Sequence, residues 1–92
     1  MKNILIAEDT YSNYLLLSVI LNKHYNLAHA VNGQEAVEMF KAQAYDVVLM
    51  DTKMPIMDGL QATREIRKMN ANVPIIALTA NAFDSDHQKA TE

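Results

Sequence analysis

The chain has no cysteine. Disulfides and thiolate zinc sites are therefore excluded, and the composition suits a reducing compartment. Only two glycines occur among 92 residues, and there is neither a glycine-rich phosphate loop nor a Gly-x-Ser-x-Gly motif. Lys and Arg number eight against eleven Asp and Glu, and they form no block. A formal charge of -3 argues against a broad nucleic-acid or anionic-membrane surface. Four tyrosines without a basic stripe do not make a nucleic-acid platform. No apolar run approaches the roughly 18 residues a spanning helix needs. The first residues enter a strand pattern directly, without the arrangement of a signal peptide. These absences set the expectation of a cytoplasmic chain that binds neither nucleic acid nor membrane.

What is present is a globular composition, 50% hydrophobic, of a length that suits one domain over residues 1–92. Short apolar runs near 3–7, 27–31, 46–50 and 74–78 alternate with amphipathic stretches near 11–22, 33–42, 59–69 and 82–92. Such alternation predicts parallel strands joined by crossover helices, an α/β fold. Runs 4–7 and 47–50 read as strands buried on both faces. Residues 27–31 carry His29 and suit an edge strand. Asn32-Gly33-Gln34-Glu35 is a capping arrangement, and Asp58 precedes another helix start. Lys23 and His24 suit the C-terminal end of the first helix, where the dipole favours cations.

The ends of the apolar runs carry the chemistry. Ile4-Leu5-Ile6-Ala7 ends on Glu8-Asp9, Val47-Val48-Leu49-Met50 on Asp51, and Pro74-Ile75-Ile76-Ala77-Leu78 on Thr79. In open α/β sheets, ligands bind outside the carboxyl ends of the strands. Three acids and a hydroxyl at one edge suit a divalent cation and a phosphoryl group. Magnesium takes oxygen ligands at about 2.1 Å and retains several waters. A carboxylate can also serve as a nucleophile and form an aspartyl phosphate. Each acid alone has a plain alternative as a helix cap or solvated loop residue, and Thr79 alone could cap the next helix. Asp58 reads as a cap. His24, His29 and His87 have no metal-ligand spacing and read as surface or cap residues. Met50, Met54, Met57 and Met69 read as core and loop packing.

These segments resemble the receiver domain of two-component response regulators, in particular receivers attached to hybrid sensor histidine kinases. The resemblance rests on Ile4–Asp9 with Asn13, Ala30–Ala36, Asp46–Asp51 with Met54–Gly59, Ala62–Arg67 and Pro74–Ala82. It covers essentially the whole chain. It implies a doubly wound, flavodoxin-like parallel sheet with strand order 2-1-3-4. It implies Asp51 as phosphoacceptor, with Mg2+ held by Asp9, by Glu8 through water, by Asp51 and by the backbone carbonyl of Lys53. Thr79 matches the switch hydroxyl. The implied partner is a histidine kinase or a histidine phosphotransfer domain, whose phosphohistidine donates the phosphoryl group. The implied role is phosphoacceptor, not an enzyme with a separate substrate.

The family also has a further strand ending in Lys-Pro and a last helix. The sequence ends at Glu92, and Lys89 stands too early to replace that Lys. The expectation is a receiver incomplete at its C-terminus. Its sheet would end on Pro74–Leu78, with Leu15, Val19 and Ile20 bared, so that it self-associates through the exposed edge. The rival reading is an interaction module that takes no phosphate. A magnesium-dependent phosphatase ranks last, because it would want a second Asp where Lys53 stands.

Overall fold

The computed structural model describes residues 1–52 and 54–78. In chain order the elements are β1 (Lys2–Ala7), α1 (Tyr11–Leu21), β2 (Tyr25–Ala30), α2 (Gly33–Ala42), β3 (Val47–Asp51), α3 (Gly59–Met69) and β4 (Ile75–Leu78). The expected helix over 82–92 lies outside the described residues. The four strands form one parallel sheet in the order β2-β1-β3-β4. Edge position for the His29 strand and the 2-1-3-4 order are as the sequence led us to expect.

Alternate residues of the central strands feed two cores, as the two-residue period of a strand requires. Leu5, Ala7, Val48 and Met50 face α2 and α3, where they pack on Ala36, Val37, Phe40, Ala62 and Ile66. Ile4, Ile6 and Leu49 face α1, where Tyr14, Leu17 and Leu21 lie against them. Helices on both faces make the sheet doubly wound. Of the four methionines expected to pack, Met50 and Met54 are buried and Met57 lies against the same core. Met69, at the end of α3, is 41% exposed instead.

Two helix starts are fixed locally. The Asn32 side chain accepts from the Glu35 amide at 2.7 Å, and the Asp58 side chain from the Gln61 amide at 2.8 Å. Glu35 reaches back to the Val31 amide at 3.1 Å, one residue before the cap. The end of α1 differs from expectation. The helix stops at Leu21 with Asn22 as C-cap and no basic residue in its last turn. Lys23 and His24 therefore belong to the turn into β2. No residue of α1 is fully buried, and Leu15, Leu16, Val19 and Ile20 are exposed. No described helix is long and apolar enough to cross a membrane.

Candidate functional site

β1 and β3 are neighbours, with Ala7 opposite Met50. The residues that follow, Glu8 and Asp51, are thus set side by side at the carboxyl edge of the sheet. The chain leaves β1 for β2 on one side, while β3 lies on the other. This is the reversal of strand order at which open α/β sheets form their binding crevice. Asp9 follows Glu8 into the same crevice. One carboxylate oxygen from each of Glu8, Asp9 and Asp51 lies within 4.8 Å of the others.

The three acids differ in surroundings. Glu8 is buried, Asp51 half-buried and Asp9 exposed. Burial pushes the Glu8 carboxyl up from 4.5 to about 7. The Thr10 amide, which donates to Glu8 Oε2 at 3.1 Å, opposes that rise. Neighbouring Asp51 reinforces it through a hydrogen bond and like charge, and Asp9 adds a further hydrogen bond. Below about pH 7 Glu8 therefore holds a proton, which avoids the cost of a buried charge first and also eases its repulsion from the neighbouring acids. A divalent cation would relieve it as well, because an all-oxygen donor set suits a hard ion.

The loop after β3 is shaped by both glycines of the chain. A Cβ on Gly59 would overlap the carbonyl oxygen of Asp51, and one on Gly33 would overlap that of Met57. The Gly59 amide donates to the Thr52 carbonyl at 3.3 Å. Only a residue without a side chain lets α3 begin this close to the end of β3.

The structure thus brings together Glu8, Asp9 and Asp51 of the residues singled out from sequence. Asp58 caps α3. The Lys53 carbonyl and the Thr79 hydroxyl lie outside the described residues. Reading His29 as a surface or cap residue is corrected. It is half-buried, its ring is stacked on Tyr14 with centroids 3.8 Å apart, and its Nε2 lies 2.7 Å from the Glu8 carbonyl oxygen. The one sequence signal for it was a polar ring inside an otherwise apolar run.

A doubly wound parallel sheet with an acidic triad at its β1–β3 crevice is the architecture of a phosphate-handling α/β domain. The profile of the response regulator receiver domain matches residues 4–92, and the chain belongs to that family. It is 40% identical over 89 residues to Two-component system protein A of Emericella nidulans, covering 92% of this chain and 13% of that protein. It is 39% identical over 92 residues to the chemotaxis protein CheY of Halobacterium salinarum, covering 99% of this chain and 77% of that one. Among solved structures it is similar to the receiver domain of sensor histidine kinase PA1611 from Pseudomonas aeruginosa, with a TM-score of 0.84 and 40% identity. That match covers 95% of this chain and 74% of the other, and a magnesium ion is coordinated in the PA1611 active site cleft. The response regulator TrrA of Thermotoga maritima, solved with Mg2+ and BeF, matches at a TM-score of 0.84 and 37% identity, over 97% of this chain and 76% of that one.

Proposed function

We propose that this chain accepts a phosphoryl group on Asp51 from a phosphohistidine of a histidine kinase or histidine phosphotransfer domain. The observation that carries this reading is the convergence of Glu8, Asp9 and Asp51 within 4.8 Å at the β1–β3 crevice. Asp51 ends a strand with a buried middle and is itself half-buried, which leaves its carboxylate open to a donor, as a nucleophile needs. Asp9, exposed beside it, would hold Mg2+ directly together with Asp51, and Glu8 would hold a metal-bound water. The Lys53 carbonyl is the further ligand the family pattern suggests, and Thr79 the hydroxyl that would bond the new phosphoryl group. When bound, the cation would offset charge on the transferring oxygens. The protein's own part is to hold the Asp51 carboxylate in the crevice beside the two acids that would share the cation with it.

Intact-mass measurement after incubation with acetyl phosphate and magnesium tests this. The chain should gain one phosphoryl group, and Asp51→Asn should gain none. Equal labelling of the variant would move the acceptor elsewhere. Calorimetric titration should show weak magnesium binding that Asp51→Asn weakens clearly.

One observation favours a second role, that of an interaction module. Leu16, Val19 and Ile20 are 68%, 74% and 69% exposed on α1. Self-association through that face, or through β4, the last described strand, whose Ile76 is 53% exposed on the α1 side of the sheet, is the form this role would take.

A further inference from the structure

Glu8 and Asp9 share one peptide plane, and hydrogen bonds around Glu8 orient it. The Glu8 amide donates to the Ala30 carbonyl at 2.9 Å, continuing the β1–β2 ladder. The Thr10 amide donates to Glu8 Oε2 at 3.1 Å, at the entry to α1. The Glu8 carbonyl oxygen meets the His29 ring, with Nε2 at 2.7 Å. A carbonyl only accepts, so Nε2 carries the proton and donates. His29 stands opposite Ile6 in the register, and its ring reaches along the sheet to a carbonyl two residues further on.

The ring is itself held in place. It lies parallel to Tyr14, with centroids 3.8 Å apart and planes 3° from each other. Tyr11 approaches at 6.2 Å. Both tyrosines come from the first turn of α1, the element that follows Asp9. The direction of the His29 N–H is thereby set by the helix whose start the acidic loop must reach. Tilting the Glu8–Asp9 peptide would swing both carboxylates. Ligand geometry tolerates only about 0.5 Å or 10–20° of such movement.

We propose that His29 is a positioning residue for the cation site, fixing the peptide plane between Glu8 and Asp9 through its Nε2–H and the Tyr14 stack. This rests on the reading of Glu8, Asp9 and Asp51 as a magnesium site. His29 touches neither cation nor phosphoryl group. It acts on the backbone that carries two of the acids.

Two variants separate its ring from its donor. His29→Phe keeps a stacking ring and loses the N–H. His29→Gln places an amide N–H near the Nε2 position and loses the ring. Magnesium affinity is read by calorimetry in both and in the unaltered chain. The Asp9 amide resonance is read in the metal-free proteins. His29→Phe should weaken magnesium binding about tenfold, the scale of losing a partner that orients a ligand. It should also shift the Asp9 amide, with little change in the urea midpoint. His29→Gln should bind more tightly than His29→Phe and return the Asp9 resonance toward its original position. Unchanged affinity in His29→Phe, or no rescue by His29→Gln, overturns the positioning role alone. No magnesium binding by the unaltered chain overturns the site reading and this inference with it. If His29→Phe does not fold, Tyr14→Leu takes its place. It keeps the donor and removes the stack, and should cost about two- to tenfold in affinity. Unchanged affinity there also overturns the proposal.

Discussion

The amide of Gly33 donates to the carbonyl oxygen of Met57 at 3.0 Å, and a Cβ on Gly33 would overlap that same oxygen. The start of α2 and the loop after β3 are therefore in backbone contact. That loop runs from Asp51 to the start of α3. Gly33→Ala should force the two apart and destabilise the chain by about 1–3 kcal/mol, the range for inserting a methyl into a packed site. Urea unfolding checks this. An unchanged midpoint would mean that the loop yields freely.

Ile56 sits within that loop at φ 70°, and the Met57 amide donates to the Pro55 carbonyl around it at 2.7 Å. This is a γ-turn centred on a β-branched residue, a conformation that costs about 1–3 kcal/mol. The side chain is 81% exposed, so little burial is lost when it is removed. Ile56→Gly relieves the strain and adds about 0.5–1 kcal/mol of backbone entropy cost. The variant should be more stable by about 1 kcal/mol in thermal or urea unfolding. A lower midpoint would show that the Ile56 side chain supports the loop in some other way.

The raised Glu8 pKa has a stability consequence in the absence of metal. The folded chain holds a proton on Glu8 up to about 7, whereas the unfolded chain releases it near 4.5. Between those values the folded state binds more protons, so this group's contribution is full below 4.5 and is lost as pH rises through 7. Urea midpoints in a chelator should therefore fall from pH 5 to pH 8 more steeply for the unaltered chain than for Glu8→Gln. Glu8→Gln should also be the more stable of the two at pH 8. Parallel pH profiles would show that Glu8 is not the group holding the proton.

The apolar face of α1 predicts concentration dependence. Leu16, Val19 and Ile20 lie on one stripe of the helix and are all exposed. Static light scattering across a dilution series should show association, and the urea midpoint should rise with protein concentration. Val19→Lys with Ile20→Lys should abolish both effects. A monomer with a fixed midpoint, before any substitution, would leave this face without a self-partner.

Arg67 joins the end of α3 to the segment leading into β4. Its Nη1 donates to the carbonyls of Ala71 at 3.2 Å and Val73 at 2.5 Å. Arg67→Met keeps the aliphatic stem and leaves both carbonyls without that donor. A loss of about 1.5–3 kcal/mol in urea unfolding is expected, the range for a bond to a charged group. Wild-type stability would show that water replaces the guanidinium at no cost.

Sequence and structure agree where the cause is local. The strands appear where β-branched and apolar residues run together. The helices begin where Asn32 and Asp58 offer side-chain oxygens to amides three residues on. The acids stand at strand ends because Glu8 and Asp51 directly follow buried runs, and parallel topology aligns those ends. They differ at Met69, which reads as packing yet is exposed at the end of α3, and at Lys23 and His24, which suit a longer first helix. A helix that stops at Leu21 leaves His24 in a turn.

By itself, then, the sequence determined the alternation of elements, the capped helix starts and the acids directly after two buried runs, because each follows from residues within a few positions of one another. Only the tertiary structure decided which groups the acids meet. Glu8 keeps its proton because burial and Asp51, distant in the chain, both disfavour its charge. The two glycines matter because distant carbonyls approach them. His29 acquires its partner from Glu8, 21 residues away, and its stacking ring from α1. Desolvation and contact between segments are properties of the packed chain, and no short stretch of sequence carries them.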